Sequence, residues 1–261
     1  MICAGIDAGS RTLKIVLVDA DRLAPVASAV VDQGVDQDRL ACDLLEKLLH
    51  EQGLRRDELR AVVATGYGRK LVQTAGTRVT EITCQARGVR HGVPDARTIV
   101  DVGGQDSKLV RLKDNGAVAD FAMNDRCAAG TGRFLEMLAA QLGTPLSRLG
   151  SLVGQSRTPA VVSNMCVVFA ESEIVGLLAA GVLPEDIVTG VQTAIATRIT
   201  AMTGRNLLEP ILFTGGVALV PGMDEALQAA LGRPVLIAPQ PQLTCALGAA
   251  LLAADRLTER H

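Results

Sequence analysis

Tryptophan is absent from this 261-residue chain, and tyrosine occurs once, at Tyr67, beside four phenylalanines. Aromatic platforms on which nucleic-acid bases stack are therefore scarce. Charge of one sign is also missing. The formal net charge is −2, which exerts no electrostatic pull on a nucleic-acid backbone. No apolar run approaches the roughly 20 residues that cross a bilayer, and the stretch from Met1 to Ser10 has no basic leader region. These absences argue against nucleic acid and membrane as partners, and the expected location is the cytoplasm. Zinc frameworks of the CxxC or CxxxH kind do not occur. His50, His91 and His261 lie in polar or terminal contexts and receive no role.

What the chain does have is apolar content, 48% of its residues, enough for one large domain or two lobes of ordinary size. It also has six cysteines, too few and too scattered for a disulfide framework in a reducing compartment. Cys3, Cys42, Cys84 and Cys245 stand in apolar strand-like or helix-like surroundings and read as small buried hydrophobes.

Hydrophobic periodicity gives strands over Met1–Asp7, Thr12–Asp19 and Ala24–Val31, then a helix over Asp36–Glu51 with Leu40, Leu44, Leu45, Leu48 and Leu49 on one face. A strand over Arg60–Thr65 follows, then the turn TGYGRK and a helix. This βββαβα order is a mixed α/β domain. The second half begins the same way. At a constant offset, IDAGSRTLKIVL (6–17) aligns with VDVGGQDSKLVR (100–111), placing Asp7 on Asp101, Gly9 on Gly103 and Lys14 on Lys108. An internal duplication is expected, with an N-terminal lobe over 1–95 and a C-terminal lobe over 96–261, the final helix free to pack back on the first lobe. After the strand VADFAM the spacing predicts helices over Thr131–Leu142, near Pro145–Val153, over Val167–Ala180 and over Pro184–Gly204. A strand over Ile211–Thr214, a helix over Val217–Leu231, a strand over Val235–Ala238 and a helix over Leu243–Leu257 complete the chain.

Three glycine turns each follow a short apolar strand: DAGSRTLK (7–14), DVGGQDSK (101–108) and FTGGVA (213–218). Such turns present backbone N–H groups to phosphates, because glycine lets the main chain approach closely. In the first, Gly9, Ser10, Arg11, Thr12 and Lys14 are the candidate nucleotide contacts, with Lys14 supplying a point charge and Ser10 a hydroxyl. Gly103, Gly104, Gly215 and Gly216 are the candidates in the others. Asp7 and Asp101, each at a strand end, suit a magnesium ion held through its waters. Gln105 suits the orientation of an attacking water. No GxxxxGK[ST] or GxGxxG sequence occurs, so the P-loop and Rossmann signatures are missing.

Two further stretches carry cysteines: NDRCAAGTGRFLE (124–136) and NMCVVFAESEIVGLL (164–178). Cys127 and Cys166 each precede a helix-like run, and a helix N-terminus favours thiolate over thiol. Two such thiolates suit an iron–sulfur cluster, but a cubane wants four ligands. Two chains contributing two cysteines each, about a two-fold axis, would supply them. Gly130, Thr131 and Gly132 form a sharp turn whose backbone donors are expected to face cluster sulfur. Arg133, Glu136 and Glu171 read as helix surface or dimer contacts.

The glycine turns resemble those of the superfamily of actin, sugar kinases and heat-shock chaperones. That likeness implies a duplicated actin-like ATPase fold, two lobes around a nucleotide cleft. With the cysteine stretches added, the chain resembles a narrower family. These are the ATPase activators of 2-hydroxyacyl-CoA dehydratases and the ATPase subunits of benzoyl-CoA reductase. The resemblance implies a homodimer with one [4Fe–4S] cluster bound by Cys127 and Cys166 of each chain. It also implies ATP/ADP and Mg2+ as cofactors, ferredoxin or flavodoxin as electron donor, and a dehydratase or reductase component as acceptor. Catalysis, on this reading, falls to Asp7, Asp101 and Gln105. Three alternatives stay open: a subunit of benzoyl-CoA reductase or another double-cluster reductase, a small-molecule kinase, and a nucleotide switch.

Overall fold

The computed structural model describes residues 1–163, 166–202 and 207–258. Its compact units are two. One comprises Met1–Ala96, Leu112–Ala119 and the stretch beginning at Ala238; the other comprises Arg97–Arg111 and Asp120–Ile237.

In the first unit, β1 (Ile2–Ala8), β2 (Thr12–Asp19) and β3 (Ala24–Asp32) form an antiparallel meander, followed by α1 (Gln37–Glu51), β4 (Leu59–Thr65), β5 (Thr77–Arg78) and α2 (Glu81–Gly92). The sheet order is β3-β2-β1-β4-β5, with β4 parallel to β1. Strand β1 is buried almost end to end, as a central strand covered on both faces must be. On one side lies the leucine face of α1, where Leu44, Leu45, Leu48 and Leu49 pack with Ile6, Leu13 and Ile15. Asp36 caps that helix by accepting a hydrogen bond from the Arg39 N–H at 3.1 Å. On the other side lies α8 (Thr244–Thr258), whose Ala246, Ala249, Ala250, Ala253 and Ala254 are buried. Small side chains on this face let the helix lie close to β1 and α2.

The second unit repeats the sheet. Strands β6 (Thr98–Val102), β7 (Ser107–Leu112) and β8 (Val118–Asn124) form the meander, and β9 (Ile211–Thr214) and β10 (Val235–Ile237) lie parallel beyond β6, in the order β10-β9-β6-β7-β8. Read from the meander side, this is the strand order of the first sheet. Between β8 and β9 stand α3 (Gly132–Gln141), α4 (Leu149–Val153), α5 (Val167–Ala179) and α6 (Pro184–Ala201). Phe134, Leu135, Ile187, Val191, Ile195 and Phe213 build the core beneath them, and α7 (Met223–Leu231) closes that core through Met223 and Leu227.

The duplicated α/β architecture is as expected, with local corrections. No helix follows TGYGRK directly: turns run to the short strand β5, and α2 starts at Glu81, capped by Thr80. The helix expected over Val217–Leu231 is split. A 3-10 turn covers Gly216–Leu219, and α7 begins only after Pro221 and Gly222, the latter at φ +86°. Proline supplies no N–H there, and the left-handed glycine redirects the chain. Helix α6 ends at Ala201; its expected end at Gly204 lies outside the described residues, as do Asn164, Met165 and His261. Cys3 and Cys84 are buried, but Cys42 and Cys245 are only partly so.

Candidate functional site

The duplicated hairpins bring the same residue types together in each unit. In the first, Asp7 and Lys14 are cross-strand partners on β1 and β2, and the Lys14 ammonium donates to Asp7 Oδ2 at 3.0 Å. The turn between them closes by the Gly9 N–H donating to the Thr12 carbonyl at 3.1 Å. Ser10 and Thr12 are half-buried and Arg11 is exposed. In the second, Asp101 and Lys108 are cross-strand partners on β6 and β7, and the Gly103 N–H donates to the Asp106 carbonyl at 2.9 Å. Here the lysine sits 2.7 Å from Asp106 Oδ2 and 3.6 Å from Asp101 Oδ2. Gln105 is exposed at the tip of this turn.

Two residues beside these acids escaped the sequence reading. Thr65 is level with Asp7 on β4, and Thr214 is level with Asp101 on β9, each followed by a glycine. Gly66 and Gly215 have φ of +91° and +87°, so both occupy the left-handed region that glycine alone enters freely. A β-carbon on Gly66 would stand 2.5 Å from Asp7 Oδ1, and one on Gly215 2.9 Å from Asp101 Oδ1. Each acid is thus walled by a Thr-Gly pair. Thr214 Oγ1 donates to Asp101 Oδ1 at 3.1 Å. The signal was present, as TG closing ATGYG and FTGGV, but only the second was read as a site turn.

The cysteine stretches lie in the helical insertion between β8 and β9. Cys127 is half-buried at the N-cap of a 3-10 turn over Ala128–Gly130. Asn124 grips it from both sides: the Cys127 N–H donates to Asn124 Oδ1 at 3.1 Å, and Asn124 Nδ2 donates to the Cys127 carbonyl at 2.8 Å. Arg198, in the last turn of α6, holds Nη1 3.9 Å from the Cys127 sulfur. Thr131 caps α3, its hydroxyl donating to the Ala128 carbonyl and accepting from the Arg133 N–H. Two of the donors expected to face cluster sulfur, those of Thr131 and Gly132, are otherwise engaged. The Thr131 N–H goes to Ala128, and the Gly132 and Arg133 N–H groups go to the carbonyls of Gly103 and Gly104, both at 2.9 Å. The start of α3 is therefore bonded to the second glycine turn.

Cys166 is exposed at the N-cap of α5, and no side chain caps that helix. Two clamps set its approach. Asp186 Oδ1 accepts from the Ser156 hydroxyl at 2.7 Å and from the Arg157 and Thr158 N–H groups at 3.0 Å. Those bonds hold the Asp186 carboxyl below the usual carboxylate range, the Ser156 hydroxyl contributing most. Glu173 Oε1, in the second turn of α5, accepts from the Ser163 N–H and hydroxyl at 2.9 and 2.7 Å. Glu171 accepts from Gln141 Nε2 at 2.6 Å and ties α5 to α3, whereas Arg133 and Glu136 pair with each other on the surface of α3. Helix α5 itself is apolar almost all round, yet only Ala170 and Ile174 are buried. Val168 and Phe169 are 69% and 65% exposed. An open groove of about 500 Å3 lies between Pro159–Ser163 and the face of α6 that carries Gly190, Thr197 and Arg198.

Among the described residues, no three cysteine, histidine or acidic side chains converge as a metal site. Cys127, at the start of a 3-10 turn, and Cys166, at the start of α5, are thiols of the kind that a four-thiolate set draws on. Comparison with known proteins places the chain in a family. Residues 4–253 match the BadF/BadG/BcrA/BcrD ATPase family. The chain belongs to that family. It is 42% identical to an activator of lactoyl-CoA dehydratase from Anaerotignum propionicum, over 97% of both chains. Its fold matches the activator of 2-hydroxyisocaproyl-CoA dehydratase from Clostridium difficile, a structure with bound ADPNP. The TM-score is 0.94 at 39% identity, over 100% of this chain and 97% of that one. It also matches component A of (R)-2-hydroxyglutaryl-CoA dehydratase from Acidaminococcus fermentans, with TM-score 0.93 at 33% identity over 99% of both chains. The fold of this family member is the actin-like ATPase fold. No helix among the described residues is long and apolar enough to cross a membrane.

Proposed function

We propose that the protein is an ATP-driven electron-transfer activator of a 2-hydroxyacyl-CoA dehydratase, working in the cytoplasm as a homodimer. On this reading it carries one [4Fe–4S] cluster held by Cys127 and Cys166 of each chain. The observation that carries the reading is α5, an apolar, solvent-exposed helix that starts at a cysteine. Exposed apolar surface of this kind marks an interaction face. A second copy seated about a two-fold axis would cover the face and bring the second pair of thiols.

The cluster, when bound, would accept one electron from ferredoxin or flavodoxin and release it at low potential to the dehydratase. The residues of the chain supply the rest. In the first unit Gly9, Ser10, Arg11, Thr12 and Lys14 would present N–H groups and charge to nucleotide phosphates, and in the second Gly103, Gly104, Gly215 and Gly216 are the glycines of turns of the same kind. Asp7 and Asp101 are the residues that would hold Mg2+ through its waters, and Gln105, exposed at its turn, would orient the water that attacks the γ-phosphate. The carbonyls of Gly103 and Gly104 accept from the first N–H groups of α3. A shift of that turn on hydrolysis is thereby transmitted to the helix that starts just after Cys127. A short, doubly bonded link of this kind moves as a unit, which is how a local event becomes a rigid-body change.

The test is native mass spectrometry on protein purified without oxygen. One four-iron cluster per two chains supports the reading, and an iron-free monomer after reconstitution overturns it. Transfer of an electron to a purified dehydratase with ATP, and not with ADP, then separates an activator from a nucleotide switch. Transfer only to an aromatic-ring reductase would identify the protein as the subunit of such an enzyme instead.

A further inference from the structure

We infer that Arg198 is a positioning residue of the electron-transfer site and sets its potential by placing a fixed positive charge against Cys127. The inference rests on the proposal that Cys127 is a cluster ligand. Three observations converge on it. Arg198 Nη1 lies 3.9 Å from the Cys127 sulfur, too long for a strong hydrogen bond but close enough for charge to act. The base of the side chain stands close to the turn Ala128–Gly130 that follows Cys127: Cβ of Arg198 lies 3.4 Å from where a β-carbon on Gly130 would be. The residue stands in the last turn of α6, where the negative end of the helix dipole favours a cation.

A sulfur ligand beside a guanidinium sheds part of its negative charge onto that neighbour. Adding an electron to the site then costs less, because the added charge meets a cation that is already in place. Charge and hydrogen bonding at the sulfurs are among the factors that set the potential of such sites. The electron comes from the external low-potential donor, and no bond is made or broken in the step. A guanidinium stays charged at any working pH, so its effect is constant where that of a histidine would not be. Arg198 also lines the open groove beside Pro159–Ser163, so a partner seated in that groove would bury the charge and strengthen it.

The experiment compares the wild type with Arg198→Met, which keeps the stem and loses the charge, and Arg198→Lys, which keeps the charge and loses the planar fork. Each is reconstituted anaerobically, its iron is counted, and its midpoint potential is read by EPR during a redox titration. The expected result is full iron in all three, a more negative midpoint in Arg198→Met, and a midpoint near wild type in Arg198→Lys. Loss of iron from Arg198→Met with retention in Arg198→Lys also supports the inference, since charge is then what the site requires. An Arg198→Met protein with full iron and the wild-type midpoint overturns it. So does equal loss of iron from both variants, which would make the packing on Gly130 the only role. A wild type that takes up no iron removes the cluster reading itself, and this inference with it.

Discussion

The two copies of the Asp–turn–Lys hairpin share backbone, register and turn closure, yet they distribute charge differently. In the first, Lys14 bonds directly to Asp7 at 3.0 Å. In the second, Asp106 stands where the first has Thr12, and it draws Lys108 to 2.7 Å while Asp101 keeps the amine only at 3.6 Å. Asp101 instead receives the Thr214 hydroxyl. One strand-end acid thus has its lysine to itself in this pairing, whereas the other shares its lysine with an acid of the turn. The duplication therefore preserved a frame and differentiated its electrostatics. The same holds on a larger scale. Between the meander and the next parallel strand, one unit has the helix α1 and the other has α3 to α6, with the candidate ligands Cys127 and Cys166.

The largest effect expected is on the insertion. Cys166→Ala should reduce iron from about four atoms per dimer to none, while nucleotide binding persists, because the glycine turns are untouched. Iron counting and ADP titration on the same preparation check both halves. Normal iron content would sink the ligand assignment.

Next in size is the contrast between the acids. Asp101→Ala should abolish ATP turnover with the cluster intact, and turnover at the wild-type rate would reject the magnesium role. Asp106→Thr makes the second hairpin resemble the first, and it should let Lys108 close on Asp101. A charge-assisted hydrogen bond is worth about 1.5 kcal/mol or more, so the magnesium needed for half-maximal hydrolysis should rise about tenfold. An unchanged magnesium curve would show that the hairpins are electrostatically equivalent after all.

Where the two hairpins agree, matched variants should behave alike. Alanine at Gly66 or at Gly215 forces a side chain into left-handed backbone, which costs about 1–2 kcal/mol before any clash. The added carbon also meets the carbonyl of Ala8 in one case and that of Val102 in the other. Urea unfolding of both variants should show losses of similar size. A neutral substitution at either position would break the correspondence of the two Thr-Gly pairs.

Much of this was legible in the chain. Asp, Gly and Lys recur at a constant spacing in the two hairpins because cross-strand register fixes that spacing: Asp7 faces Lys14 and Asp101 faces Lys108. The cysteines stood out because each precedes an apolar run at a helix start. Arg198 and Asn124 were not legible, because a single arginine inside TAIATRITA carries no local signal and its role comes from the long-range approach of α6 to Cys127. The break at Pro221–Gly222 was missed because VALVPGMDEAL keeps an apolar rhythm through it. The engaged N–H groups of Thr131 and Gly132 were missed because their acceptors include Gly103, on a different element.

A smaller effect separates the approach of Cys166 from the rest by pH. Asp186 has its carboxyl held below the ordinary value by the Ser156 hydroxyl and two N–H groups. A group whose pKa is lowered on folding stabilises the fold above its unfolded value, about 3.9, and loses that contribution as pH falls through the lowered value. Asp186→Asn should therefore lower the melting temperature at pH 7 and leave little difference from wild type at strongly acid pH. A difference that stays constant down to acid pH would assign its cost to packing rather than to charge.

The smallest effect tests whether the thiols of the two units differ in kind. Burial pushes the Cys84 thiol up to about 12, and burial likewise raises Cys3. Alkylation requires thiolate, and both thiols are enclosed among Val63, Ala249 and Ala253. Cys166 is exposed at a helix start and open to the reagent. Brief iodoacetamide treatment of the iron-free protein, read by peptide mass spectrometry, should modify Cys166 and leave Cys3 and Cys84 until urea unfolds the chain. Early labelling of Cys84 would mean that α2 and α8 part readily in the native protein. The first unit would then be a moving part in its own right, and the division between a rigid frame and a reactive insertion would have to be redrawn.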